Sequence, residues 1–327
     1  PLTSGAETSD PGDEETGDKL DVGGGTGTTP CAEGGDCGEC IPSTHQPCDQ
    51  GANNMVAALG LNCPGDSQVT VTTDGNPAAM SVRTGFGGTA EWAPREGSAF
   101  AVLGSGFTTD LDLETPAFDF DDAPTHCNDD LGSYDPGGSL PAPIQVTDVS
   151  GDCSTNPALL GTGDCSNTIS SQFSQGGGAN DYTEIRIVAD VPPTNNSLNY
   201  DFAFFSTEYP FYYGSAFNDM YVGWLESESW TGNISFDNSG NPISLNAGFL
   251  DFRDDGGSLA QFDGTCMKQH AGTKWLQSVA PVTPGESITL VLAVFDLSDS
   301  ILDSYVFLDN FGWGCEGEDR PSTTPVG

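Results

Sequence analysis

The chain of 327 residues carries 48 Asp and Glu against 8 Lys and Arg, a formal net charge of −40, which argues against nucleic acid and anionic membrane surfaces as partners, since both would repel it. Apolar residues make up 36% and aromatic residues 9%, low but enough for a core, which argues against wholesale disorder. No run approaches the roughly 18 apolar residues of a membrane span, so no membrane insertion is expected.

Residues 1–30, PLTSGAETSDPGDEETGDKLDVGGGTGTTP, are rich in Gly, Thr and acids and almost devoid of apolar anchors, the composition of a linker or an assembly arm. The opening PLTSGAETSD has neither an initiator Met nor a signal peptide. It reads as the start of a mature exported product, so the protein is expected outside the cell or on its surface. Residues 31–50 form a Cys-rich segment too short to fold without disulfides.

A β-sandwich is expected over residues 51–318, with 319–327 as a C-terminal tail. NNMVAALGL (53–61) is the one short helix, with Met55, Ala58, Leu59 and Leu61 on one face. After it come short β-type runs separated by Gly, Pro, Asn and Asp: SQVTVTT, AAMSVRT, SAFAVLGSG, APIQVTDV, YTEIRIVADV, LNYDFAFFSTEY, DMYVGWLES, SITLVLAVFDLS and DSYVFLDNFGW. In the fifth, Ile185, Ile187, Ala189 and Val191 face one way and Glu184, Arg186 and Asp190 the other. SITLVLAVF is nearly continuous apolar, as a central strand covered on both faces is. Many strands and hardly any helix predict an all-β, jelly-roll-like sandwich. The stretch from 108 to 180, dominated by Asp, Gly, Pro and Ser, reads as long acidic loops with one or two short strands.

Ten cysteines, Cys31, Cys37, Cys40, Cys48, Cys63, Cys127, Cys153, Cys165, Cys266 and Cys315, fit an oxidising compartment and are read as disulfides. CGEC (37–40) is a CxxC without the second CxxC that a zinc ribbon requires. Cys153 and Cys165 could close a short loop. Cys63 and Cys315, near the two ends of the folded region, could tie those ends together. The sequence leaves the connectivity open.

Two acidic stretches stand out. In FFSTEYPFYYGSAFNDMYVGW (204–224) a strand ends at Glu208 and chain direction resumes after Asn218 and Asp219. In DLSDSILDSYVFLDN (296–310) a strand ends at Asp296, a polar loop holds Asp299, and Asp303 starts the returning strand, with Asp309 six residues on along the same face. Hard cations such as Ca2+ take six to eight oxygens from such loops. Soft ligands are scarce: the three histidines are His45, His126 and His270, and the cysteines are expected to be oxidised, which disfavours zinc, copper and iron. If Glu208, Asn218, Asp219, Asp296, Asp299 and Asp303 converge, a cation is needed, because two carboxylates about 4 Å apart repel by about 4 kcal/mol at an effective dielectric of 20. The alternative is that the loops are separate and solvated. Phe211, Tyr212 and Tyr213, at the apex of the first loop, form a candidate contact patch for a neighbouring subunit or a sugar ring.

FAFFSTEYPFYYGSAFNDMYVGWL and SVAPVTPGESITLVLAVFDLSDSILDSYVFLDNFGW, with REGSAFAVLGSG (95–106) and HAGTKWL (270–276), resemble the choice-of-anchor L domain of secreted bacterial surface proteins over roughly 52–315. The resemblance implies an extracellular β-sandwich attached by varied C-terminal anchors, with no recognised enzymatic activity. The family's acidic positions fall on Glu208, Asn218, Asp219, Asp296, Asp299 and Asp303. One departure is the ending CEGEDRPSTTPVG, without a hydrophobic anchor or sorting tail.

Other chemistry is poorly supported. The Gly-rich GFGGTAEW and GGGTGTT do not follow a strand and open a helix, as a phosphate cradle would. No G-x-S-x-G elbow supports nucleophilic catalysis, and among 48 acids a pair suited to glycoside hydrolysis carries little weight. The expectation is a non-enzymatic, Ca2+-stabilised structural protein that assembles with copies of itself as a filament or surface layer. The alternative is a module that binds surface glycans or mediates adhesion, and a secreted hydrolase stands third.

Overall fold

The computed structural model describes residues 40–42, 44–51, 54–114, 126–132, 134–146, 169–317 and 319–326. The expected arm at 1–30 and Cys31, Cys37, Cys153 and Cys165 lie outside them. A one-turn helix, α1 (Met55–Ala58), starts where the Asn54 side chain accepts from Val56 N, the usual role of an N-cap asparagine. Ala58, Leu59 and Leu61 are buried beneath it, with Met55 packed against the same core. A second short helix, α2 (Ser170–Phe173), precedes the long strands.

Thirteen strands follow in chain order: β1 (Thr70–Asp74), β2 (Met80–Arg83), β3 (Phe100–Gly104), β4 (Ala179–Asp190), β5 (Ser197–Ser206), β6 (Met220–Glu226), β7 (Thr231–Asn233), β8 (Phe252–Arg253), β9 (Ala271–Gly272), β10 (Leu276–Pro281), β11 (Ser287–Leu297), β12 (Ser304–Gly314) and β13 (Ser322–Pro325). They form two antiparallel sheets. One has the order β1-β4-β11-β6-β7; the other runs β13-β10-β5-β12-β3-β2, with β8 and β9 attached at β5. The long strands β4, β5, β6, β10, β11 and β12 change sheet at almost every step, the jelly-roll-like sandwich read from the sequence.

Three apolar layers account for the pattern of residues. Between the sheets lie Ile185, Ile187, Leu290 and Leu292 against Phe202, Phe204, Val306 and Leu308. The outer face of the second sheet is covered by Trp92, Phe100, Phe205, Phe262 and Phe307, with Trp92 stacked on Phe262 at 5.3 Å between ring centroids. The outer face of the first carries Trp224, Val291, Ala293 and Phe295. β11 therefore faces apolar layers on both sides, which is why it lacks alternation. On β4 the polar side is partly covered too: Glu184 is buried, paired with Arg186 at 2.8 Å and accepting from the Tyr182 hydroxyl. The dense aromatic run is mostly core, since Phe204, Phe205, Tyr221 and Trp224 are fully buried.

Several expectations change. Residues 142–146 of APIQVTDV form no strand, and the remainder of that run lies outside the described residues. Ser322–Pro325, beyond the expected limit of the sandwich at 318, pair with β10 as its edge strand. Cys63 and Cys315 do not pair with each other: the disulfides are Cys48–Cys63, Cys40–Cys315 and Cys127–Cys266. The segment that bears Cys40 and Cys48 lies against the end of the sandwich where β12 finishes. Asp49 adds to its attachment, its Oδ2 accepting from Ser98 N at 2.6 Å and Ala99 N at 2.5 Å. Residue 97 is a glycine at φ 61°, and any Cβ there would fall 2.3 Å from Asp49 Oδ1.

A buried acidic cluster at one end of the sandwich

At the opposite end β3, β5 and β11 finish and β6 and β12 begin. Two crossovers between the sheets meet there: residues 207–219, from β5 to β6, and 298–303, from β11 to β12. Each sheet therefore delivers one acid-bearing loop to the same place. Glu208 and Asp219 come from the ends of the first, Asp296 from the last turn of β11, and Asp299 and Asp303 from the second. Glu208, Asp219, Asp296 and Asp303 are all 0% exposed, and Asp299 is half-buried.

The loops are held closely. Thr207 donates through N and Oγ1 to Asp303 O, each at 3.1 Å. Ser304 Oγ donates to Asp219 Oδ2 at 2.6 Å and Leu297 N to its Oδ1 at 3.1 Å. Ser298 and Leu302 adopt left-handed backbone at φ 91° and 69°, unusual for side-chain-bearing residues and common where a loop is forced to position function. Gly106 is required for space: a Cβ there would lie 1.7 Å from Asp303 Oδ2.

Two further acids, unforeseen in the sequence, join the cluster. The loop 126–132, pinned by Cys127–Cys266, lies against the start of β12, with Asp303 N donating to Cys127 O and Leu302 N to Asn128 Oδ1. It brings in half-buried Asp129, whose N–H donates to Asp303 Oδ1 at 2.9 Å. β4 supplies Asp181, 0% exposed and at φ 50°, which accepts from Leu131 N at 2.9 Å. Neither could be found by spacing, because each lies more than a hundred residues before Asp303. A CNDD loop beside a cysteine was the only local signal.

The electrostatics are one-sided. Both carboxylate oxygens of Glu208 and of Asp296, Oδ2 of Asp181 and Oδ1 of Asp299 are buried without a hydrogen-bond donor. Asp296 lies beside Ser105 and Asp219, and the Ser105 hydroxyl is the one neighbouring group that offsets its burial. Burial, with Asp219 and Asp299 as like charges, pushes Glu208 up to about 10. Burial also lifts Asp219 to about 7 against the bonds from Ser304 and Leu297, and Asp181 to about 7, with Asp135 and Asp130 adding to the shift. Asp296 and Asp303 are driven well above the ordinary carboxylate range, first by burial. Asp299 and Asp129 are raised for the same reason. Among the described residues no Lys or Arg figures in the causes of these shifts, and the one group that acts as a positive charge is His126 beside Asp129.

The remaining expected residues behave differently. Asn218 is fully buried but bridges other loops, its Oδ1 accepting from Asn246 N and its Nδ2 donating to Gln172 Oε1, both at 2.8 Å. Asp309 lies in β12 about 20 Å from Asp303, since six residues on one face advance the chain by about 3.3 Å each. Its carboxylate accepts from Arg95 N at 2.6 Å, Glu96 N at 3.3 Å and Asn310 N at 2.7 Å. At the apex of the first loop Tyr212 and Tyr213 are exposed and Phe211 is half-buried. Tyr212 packs edge-on to Phe217, and the Arg253 guanidinium sits 4.8 Å above the Tyr213 ring.

His45, Cys63 and Asp66 are, among the described residues, the one group of three or more His, Cys, Asp or Glu side chains with a ligand atom apiece within 4.8 Å of the others. Cys63 is tied in its disulfide, and His45 lies between Asp66 at 3.0 Å and Glu96 at 2.9 Å, so this group is a structural brace between side chains already in contact. The carboxylates of the acidic cluster are buried but more widely spaced, no three of them offering oxygens within 4.8 Å of one another. A cation there would draw its carboxylates inward or complete its shell with carbonyls and water, which suits Ca2+ with its six to eight flexible ligands better than a small octahedral ion.

A family model described as the choice-of-anchor L domain matches residues 145–312. That span is shorter than the 52–315 of the resemblance read from the sequence, yet it holds every acid of the cluster except Asp129. No curated protein and no solved structure matches the chain.

Proposed function

Because this chain belongs to the choice-of-anchor L domain family, whose domains mark bacterial surface or extracellular proteins, we propose that it is a non-enzymatic structural protein whose sandwich is locked by Ca2+ and which assembles with copies of itself. The cation would be held by Glu208, Asp219, Asp296, Asp299 and Asp303. The observation that carries this reading is the burial of Glu208 and Asp296, whose four carboxylate oxygens have no hydrogen-bond donor. Unpaired buried carboxylates cost several kcal/mol each unless they are protonated or meet a cation. Bound to the folded state alone, a cation at a hundredfold over its Kd stabilises by about 2.7 kcal/mol. Elemental analysis of native material, with melting curves in Ca2+ and in chelator, tests the site. The metal is expected in the protein and the midpoint is expected to drop on chelation. An unchanged midpoint with no metal found removes it.

Self-assembly rests on the composition of residues 1–30, an arm suited to adding along a neighbouring sheet edge. Full-length protein is then expected to form filaments or layers and a chain lacking residues 1–30 is not. Normal polymerisation of the shortened chain would sink that part.

A second reading, a glycan-binding or adhesive module, is favoured by exposed Tyr212 and Tyr213 beside Arg253, since aromatic faces stack on sugar rings. A glycan array decides it: binding lost in Tyr212→Ala and Tyr213→Ala supports adhesion, and no binding by the parent protein dismisses it.

A further inference from the structure

The two main runs of strands end at β1 and β7 in one sheet and at β13 and β2 in the other. Three of these edges are blunted. β7 has three residues, all buried. β13 is short and holds Pro325, which has no N–H to offer a further strand. β2 is half-buried along its length, and its Arg83 is tied to Thr108 O and to Asp112, both at 2.7 Å. β1 differs from all of them. It pairs with β4 alone and in unbroken register, with Thr70, Thr72, Thr73 and Asp74 exposed and Val71 half-buried. It has no Lys, no Pro and no bulge, the devices that keep an open edge from pairing. Its three threonines and one valine are residues that favour strands, so its outer side is a template of backbone N–H and C=O groups.

The partner that fits this edge is a second β1. Each chain carries a net charge of −40, so two copies can approach only where acids are sparse and not opposed, and β1 holds the single acid Asp74 at its end. Antiparallel pairing of β1 with itself about a two-fold axis at Thr72 sets Thr70 opposite Asp74, Val71 opposite Thr73, and Thr72 opposite its own counterpart. No acid then faces an acid, and each Asp74 meets a threonine hydroxyl that can donate to it. The faces match as well. Val71 and Thr73 lie on the side of Ile187 and Ile185, so both cores face the same way, and Val71, already packed against its own core, gains cover. Thr70, Thr72 and Asp74 share the other side with Val188, which is 40% exposed.

We infer that the protein pairs with a second copy of itself through β1, edge to edge about a two-fold axis at Thr72, joining two five-stranded sheets into one. The inference rests on the self-assembly proposed above and deepens it by naming a contact surface, and it uses no residue of the arm. A contact of this kind closes on itself, so the pair is the unit from which the arms extend a filament or layer. Because the pairing brings two acidic chains together, it strengthens as added salt screens their repulsion.

The test is position-specific cross-linking of the full-length chain. Thr72→Cys places two thiols opposite each other across the axis, and a short thiol-specific cross-linker is expected to join them into a covalent pair. Thr70→Cys, which faces Asp74 of the other copy, and the parent are expected to give several times less. Thr72→Lys, with two ammonium groups opposed, is expected to weaken association about fivefold in sedimentation measurements. Equal cross-linking of the two cysteine variants overturns the inference. So does no cross-linking of Thr72→Cys while the parent self-associates, and that result leaves assembly through the arm standing. A parent that sediments as a monomer at every concentration overturns both. Hydrogen exchange of the parent decides the matter even if a variant fails to fold: the amides of Thr70–Asp74 are expected to exchange slowly at high concentration and faster on dilution, and rates independent of concentration overturn the pairing.

Discussion

Glu208 and Asp219 stand at the two ends of a single crossover loop, both fully buried, and the like charge of Asp219 adds to the burial that raises Glu208. Without metal the folded protein holds a proton on Asp219 up to about pH 7 and on Glu208 up to about pH 10, whereas the unfolded chain releases both near pH 4. The folded state thus binds more protons in that window, and its stability falls as pH rises through it, by about 1.4 kcal/mol per pH unit for each retained proton. A cation competes with those protons and reverses the trend. Melting midpoints in chelator are expected to fall between about pH 5 and about pH 9, and the gap between Ca2+ and chelator to widen as pH rises. A gap of constant size across that range contradicts the assignment.

Gly106 gives a steric test of the same site. Gly106→Ala would set a Cβ 1.7 Å from Asp303 Oδ2, so Asp303 must move, at a cost of about 1–3 kcal/mol as for other overpacked sites. The stabilisation by Ca2+ is expected to shrink to less than half. Gly138→Ala, where no atom lies within 4 Å of the added carbon, is expected to melt and bind as the parent does.

The three described disulfides should separate into two functions. Replacing Cys127 and Cys266 by Ala frees the loop that carries Asp129, so both stability and Ca2+ affinity are expected to fall. Replacing Cys40 and Cys315 by Ala opens a loop of sequence separation 275 and is expected to cost about 2–5 kcal/mol, with Ca2+ affinity unchanged. Calcium titrations of the two variants under conditions where both are folded check the distinction.

Asp49 provides a metal-independent comparison. Its Oδ2 accepts from Ser98 N and Ala99 N in a buried position. Asp49→Ala leaves both donors unpaired, with an expected loss of about 1–3 kcal/mol. Denaturant midpoints should show the loss equally with Ca2+ and with chelator.

Much of the fold was legible because strand alternation and continuous apolar runs record what covers each face. Ile185 and Ile187 point into the core as their period demands, and the unbroken run of β11 reflects apolar layers on both of its sides. Glu208, Asp219, Asp296, Asp299 and Asp303 could be read as neighbours because a strand end and a strand start bracket each loop. Asp129 and Asp181 could not, since only the antiparallel pairing of distant strands brings them there. Asp309 shows the limit of period-2 reasoning: sharing a face with Asp303 fixes direction, not distance. β10 and β13 were missed because their Ser, Thr and Gln residues resemble loop composition. The disulfide partners were missed because loop closure has no local signature.

Cys40 and Cys315 together have a mechanical consequence. Tension applied between the chain preceding Cys40 and the chain following Cys315 runs across one covalent bridge and bypasses the 274 residues between them. Of the described strands only β13 lies outside that bridge. A surface protein pulled across these two points would therefore carry load through sulfur, and its sandwich, with the cation proposed for it, would stay slack.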